Sequence, residues 1–378
     1  MRGVKRDPVI DLLRSVATTT VVLYHWVFTI VVWREDGPHA DNPIGYVSGL
    51  WCLTWVLQVM PLFFVAGGFT HSVAWAKHRG TPGAWRRFAV KRTRQLLVPA
   101  GVLIIAVVGA LTIVGAVHDG PEPWLSRSVI LVLSPLWFLV VFLALVVTVP
   151  IWDWLHVRFG ELVPLGLAAL AMGVDVARFR FGFEQLALAN LVFVWAACHQ
   201  VGWSWERLRA APARFGHCLV LIGFAALVGL TNMGLYPRSM VGTTSALDRF
   251  SNMGPPTIPI IALCCLQVGL VVSFRDRLAE LVTRPNVARR VDWLSKTAMP
   301  LFLWHTVGFA GFYALYRLVG SVPETPSALW WVTRPLWVLG PALLTIPLLA
   351  ASTRLMSGMG AITGAGRPVR EASSLAGA

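Results

Sequence analysis

Ten runs of mostly apolar residues, each about long enough to cross a bilayer, follow one another along the 378 residues and leave little chain between them. A hydrocarbon core of about 30 Å takes roughly 20 apolar residues per helix. Read against Gly, Pro and charge breaks, the spans fall near 10–33, 49–75, 96–117, 128–150, 161–176, 187–203, 217–235, 257–274, 297–319 and 329–351. Only 13% of the residues are charged and 56% are hydrophobic, whereas a soluble domain carries about 25% charged residues. A water-soluble globule is therefore excluded. The expected fold is all-α: a polytopic integral membrane bundle of about ten transmembrane helices, one domain over 1–356, with 357–378 as a disordered cytoplasmic tail.

Lys and Arg are distributed unevenly between alternate loops. With the N-terminus inside, the cytoplasmic side holds 23 of them and the opposite side 8, with Arg14 inside the first span. That bias obeys the positive-inside rule and predicts both termini in the cytoplasm. It also accounts for most of the net charge of +14: nucleic-acid binding needs a contiguous basic face in water, and these cations sit in short loops. No nucleic acid is expected as a partner; the lipid bilayer of the cell (plasma or inner) membrane is.

Residues 1–33 begin with Arg2, Lys5 and Arg6 ahead of an apolar stretch, as a secretory signal would. The stretch is too long and contains Asp11, Arg14 and His25, so it is expected to remain as the first span. Span five is short, and 178–185 is rich in Arg and Phe, which suits a re-entrant or interfacial element. The five cysteines, Cys52, Cys198, Cys218, Cys264 and Cys265, show no metal-ligand spacing and read as buried thiols. Tryptophans near span ends (Trp26, Trp33, Trp51, Trp75, Trp124, Trp330, Trp331) read as an aromatic belt. No Walker loop, G-x-G-x-x-G, Ser-His-Asp order or metal signature is present.

Ionisable groups inside a span are expensive and mark functional candidates. Arg14 and His25, eleven residues apart, lie within roughly 20° on one helical face and about 16 Å apart along the axis. One stripe thus carries a fixed cation near the cytoplasmic surface and an imidazole deep in the bilayer. Asp11, one turn before Arg14, can pair with it. The bland alternative is a snorkelling arginine and a satisfied buried histidine. The chemical one is that an imidazole titrating near neutrality takes the proton of a hydroxyl attacking a thioester, or transiently accepts the acyl group. A guanidinium at the inner surface suits a phosphate-bearing donor.

Arg14 and His25, within DLLRSVATTTVVLYHW, resemble the R-x10-H signature on the first helix of the acyltransferase family 3 membrane proteins. Further pieces follow in that family's order: PLFFVAGGF (61–69), LWFL (136–139) and MPLFLWH (299–305). The resemblance runs from residue 7 to about 350. It implies transfer of an acetyl or other short acyl group from acyl-CoA, with acetyl-CoA the expected co-substrate and no permanently bound cofactor. The acceptor it implies is a hydroxyl of a sugar, polysaccharide, lipid or secondary metabolite (a natural product). It also implies His25 as the essential catalytic residue and Arg14 as its partner. Two departures stand out: Gly67 replaces a serine, and the basic R-x-x-R pattern before the third helix appears as Lys91, Arg92, Arg94 and Gln95, with Arg94 a possible substitute for the second arginine.

The basic segment 77–95 (Lys77, Arg79, Arg86, Arg87, Lys91, Arg92, Arg94) serves orientation and anionic lipid, or the phosphates of acyl-CoA. On the second view Arg87, Lys91, Arg92, Arg94 and His71 bind the donor. Gly67, Gly68 and Phe69 either pack helices closely or line a substrate cavity. Trp137 suits lining or anchoring, and His305, behind Pro300, suits a structural hydrogen bond or a place in the cavity; His199 with Gln200 carries less signal. The outer loop 236–256 is expected to shape an acceptor site. Two rivals remain at this stage. One is a transporter of an anionic solute with His25 as proton relay, although no paired halves are visible. The other is a different membrane acyltransferase fold centred on His305 or His199 with an asparagine.

Overall fold

The structure, a computed structural model, describes residues 7–117, 122–242 and 251–362, with side chains to 355. Helix α1 (Pro8–Phe28) starts where a helix should: Asp7 accepts the Val9 amide at 2.8 Å, and Pro8 opens the first turn. The other Asp7 carboxylate oxygen accepts from Trp205 Nε1 at 2.8 Å, which fastens the start of the helix to the bundle.

The expected first span overruns α1. Residues Ile30–Arg34 (β1) pair antiparallel with Gly37–Asp41 (β2), closing on Arg34 opposite Gly37. Asp36-Gly37 is a hairpin dipeptide, and Gly37 sits at φ +118° with its α-carbon against the Trp124 backbone, where a Cβ would come within 2.6 Å. The hairpin marks one side of the bundle; Asp7 marks the other.

From the hairpin the chain makes short turns and α2 (Thr54–Leu57), then α3 (Met60–Ala76). Polar side chains bridge the break between them: Gln58 Oε1 accepts the Met60 amide at 3.0 Å, and Gln267 donates to the Gln58 carbonyl at 2.8 Å. Helix α4 (Ala84–Val117) runs 34 residues, so most of the basic segment expected as a loop is helical and continuous with a span. Next come α5 (Pro123–Leu133), α6 (Trp137–Val147), α7 (Val149–Phe159) and α8 (Leu162–Phe181). In place of a re-entrant element, α8 continues through Arg178 and ends at left-handed Gly182, with Arg178 Nε donating to Glu184 at 2.8 Å.

The second half comprises α9 (Asn190–Trp203), α10 (Trp205–Ala210), α11 (Ala213–Asn232), α12 (Ile258–Ser273), α13 (Arg275–Thr283), α14 (Pro285–Arg317), α15 (Ala328–Val332) and α16 (Arg334–Ile362). The last helix thus reaches six residues into the expected tail, whose remaining residues, like 243–250 of the outer loop, lie outside the described ones. Among the described residues eight helical stretches are long and apolar enough to span, and α12 with α13, bent by 64°, makes a ninth. Helix α1 falls outside that set despite its 21 residues, because it carries Asp11, Arg14 and His25. The chain is a polytopic helical membrane protein.

Helices approach where side chains are smallest. A Cβ on Gly68 of α3 would lie 1.9 Å from the His199 carbonyl oxygen of α9, and one on Gly202 2.0 Å from the Val65 carbonyl oxygen. Backbone-to-backbone contact of this kind is how membrane helices gain dispersion energy without a hydrophobic drive between them. Beside it Phe64 stacks on Trp195 at 4.5 Å. The expected aromatic belt is only partial: Trp26, Trp75 and Trp330 are buried in the bundle. Of the five thiols, Cys198 and Cys264 are buried, whereas Cys52 and Cys218 are exposed.

Gly202→Val should therefore cost at least the 1–3 kcal/mol on the order of which overpacking costs, seen as a lower melting temperature in detergent. Gly229→Ala, with nothing within 4 Å of the added carbon, should leave melting the same or slightly higher. In the hairpin, Asp36 accepts from His39 Nε2 at 2.7 Å and pairs with Arg127. The His39 hydrogen bond, ahead of Arg127, holds the Asp36 carboxyl below its ordinary value. Its contribution is thus present above the unfolded carboxyl value and lost as pH falls through the lowered folded one. Amide exchange of residues 30–41, corrected for intrinsic rate, should accelerate on acidification below about pH 4 and lose that dependence in Asp36→Asn.

Candidate active site along the first helix

Asp11 and Arg14 meet as their spacing requires, Oδ1 to Nη2 at 3.2 Å, with Asp11 buried and Arg14 half-buried. Ser15 beside them donates to the Asp11 carbonyl at 2.8 Å and lies 3.3 Å from Ser295 Oγ, which sets this part of α1 against α14. Arg92 of α4 lies close enough to Arg14 for their charges to interact, and His71 of α3 lies within range of Arg92. Lys91, Arg94 and Arg87 are exposed, and Arg87 donates to Thr81 Oγ1 at 2.7 Å. The phase of α4 explains the difference: two residues on, Arg94 is turned about 200° away from Arg92. Of the basic candidates, then, the fold groups Arg92 and His71 with Arg14, and turns the other three outward.

His71 is backed by a second histidine. Its Nδ1 lies 3.0 Å from Nε2 of His199, which is completely buried. Gly68 permits that approach by lying against the His199 carbonyl, and Gly67 meets the Phe142 ring, where a Cβ would come within 2.5 Å. Phe69 is buried with Ile10, Leu13 and Trp205. These three residues carry helix packing. Trp137 packs its indole near Trp195 at 5.9 Å and edge-on to Phe138 at 6.4 Å, against the edge of the core.

His25 stands one turn from the hairpin end of α1, closer to that end than the middle of the span where the sequence placed it. Its Nδ1 is 2.6 Å from Nε2 of His305, and the two rings stack at 4.9 Å with 11° between their planes. His305 is completely buried, and its Nδ1 is 2.7 Å from the Phe302 carbonyl oxygen. A carbonyl oxygen can only accept, so Nδ1 of a neutral His305 carries the proton and Nε2 is the acceptor. His25 must then donate through Nδ1, and its lone pair is on Nε2. His25 is only half-buried and forms no other side-chain hydrogen bond among the described residues. Trp26 Nε1 donates to the His305 carbonyl at 2.9 Å and fastens the same turn.

The sequence offered His305 a structural hydrogen bond or a place in the cavity. Its bond to the Phe302 carbonyl is local, but its other partner, His25, is 280 residues away, beyond any local pattern. His199, too, meets a distant partner, His71, 128 residues away. Tyr236, Pro237 and Arg238 face Tyr46 and Trp51 across about 760 Å³ on the hairpin side.

The fold and this polar first helix define a multi-pass membrane protein with an imidazole and a guanidinium carried on one helix. Residues 7–353, nearly the whole chain, match the family model described as an acyltransferase domain (Acyl_transf_3), and the chain belongs to that acyltransferase 3 family. It is a membrane acyltransferase. Among curated proteins and among solved structures nothing matches it.

The tautomer is directly checkable. Nitrogen-15 histidine spectra of the purified protein at neutral pH should show His25 protonated on Nδ1 and bare on Nε2. An Nε2-protonated His25 would contradict the chain from Phe302 through His305.

Proposed function

We propose that the protein transfers an acetyl or other short acyl group from acyl-CoA to a hydroxyl of a carbohydrate, lipid or secondary metabolite, in the cell membrane. The supporting observation is the Phe302–His305–His25 hydrogen-bonded chain, which leaves a lone pair on His25 Nε2 on the same helix that carries Arg14, within charge range of Arg92. Arg14 and Arg92 take the phosphates of the donor, because a guanidinium offers a planar fork of donors and keeps its charge. His71 adds a nitrogen at the same place, held by His199. Asp11 holds Arg14.

In the transfer step His25 Nε2 accepts the proton of the attacking hydroxyl as its oxygen bonds to the thioester carbonyl carbon. The carbon–sulfur bond then breaks, and the departing thiolate takes the proton back from Nε2, giving ester and free CoA thiol. While His25 carries the extra proton, its Nδ1–H points at an imidazole lone pair of His305, which shares the charge without water. The same nitrogen could carry the acyl group instead. A stable acyl-protein adduct formed from labelled donor before acceptor is added would move the assignment from base to relay.

His25→Ala should lower transfer by at least the 10²–10⁴-fold typical of a lost general base, with the variant still folded in the membrane. His305→Phe should lower it by a smaller factor while leaving the donor KM unchanged. Arg92→Ala should raise the donor KM on the order of tenfold, the worth of about one charge-assisted hydrogen bond. Solute flux that needs no acyl-CoA, together with full transfer in His25→Ala, would replace this reading with that of an anion transporter.

A further inference from the structure

Arg334 opens α16 and is only 6% exposed. Its guanidinium lies 3.8 Å over the Trp330 ring and 5.1 Å from that of Trp337. Nε donates to the Trp330 carbonyl at 2.8 Å, and Nη1 reaches the carbonyl of Val27 at 3.3 Å. Nη2 is buried and finds no partner among the described residues. A buried guanidinium that gives its donors to carbonyls is costly, and such groups mark function or a strong structural demand.

The demand is visible at Val27. It lies in the last turn of α1, whose carbonyls have no partner within the helix, at the negative pole of the helix dipole. Every residue of that turn is held from the α14 to α16 side. His25 bonds His305, Trp26 bonds the His305 carbonyl, the Val27 carbonyl takes Arg334, and Phe28 meets the Trp331 ring edge-on at 6.3 Å. Arg334 is the only cation in this set. The crevice beside it, shared with Thr29, Ile30 and Trp337, has no room for a water-sized ligand.

We propose that Arg334 is a positioning residue for acyl transfer: clamped between two indoles, it caps the C-terminal turn of α1 and so fixes where His25 Nε2 points. This rests on the assignment of His25 as the group that handles the proton. Misplacing a catalytic group by about 1 Å can cost 10²-fold without loss of binding, so the signature is a fall in kcat at constant KM.

The test compares Arg334→Met, which keeps length and stacking but removes the donors, with Arg334→Gln, which keeps an amide donor. Both are purified beside the wild type in detergent. Arg334→Met should show kcat lowered tenfold or more, the acyl-CoA KM within twofold of wild type, and amide exchange of residues 23–29 faster by a similar factor. Arg334→Gln should fall between. Wild-type kcat with wild-type exchange in Arg334→Met overturns the proposal, as does a fall in kcat matched by a proportional rise in KM. If Arg334→Met does not accumulate, the same two readouts on Arg334→Gln decide. Amide exchange needs no turnover, so it judges Arg334 even if His25→Ala proves active and the proton-handling assignment fails.

Discussion

The hydrogen bond between His25 and His305 joins α1 to α14, and the chemistry proposed for the site depends on it. In a medium with little water each polar group must find its partner inside the protein. Here that requirement fixes the protonation pattern: the Phe302 carbonyl dictates the His305 tautomer, and His305 dictates that of His25. A single histidine on α1 would be free to present either nitrogen.

The opposite end of α1 is organised by charge. Asp11 neutralises part of Arg14 and orients it, while Arg92 brings a second positive charge within range of Arg14. Behind this pair a second histidine dyad, His71 and His199, is held by the glycine-mediated contact of α3 with α9. The contact of α3 with α9 thus also places His71 and His199 behind the donor side of the proposed site.

Much of this was legible in the sequence, and the failures have physical reasons. Each expected span overlaps a helix because hydropathy over about 20 residues is a strong local signal. The hairpin was hidden because Ile30, Val31, Val32 and Trp33 extend the apolar run, although Asp36-Gly37 announced the turn. Asp11 with Arg14 was readable from an interval of three residues. Arg92 against Arg94 was not, since it depends on how far α4 is rotated about its axis. The His25 partner and the Arg334 cap both rest on contacts between opposite ends of the chain, which no window can see.

Between Arg14 and His25 there is neither glycine nor proline, and α1 is unbroken across the interval. The interval therefore behaves as a rigid gauge of about 16 Å. On the proposed reading, a donor gripped at its phosphates brings its reactive end to the imidazole only if the arm between them has the matching reach. Selectivity for the carrier would then come from the length of that arm, leaving the small group it delivers to be chosen elsewhere in the bundle.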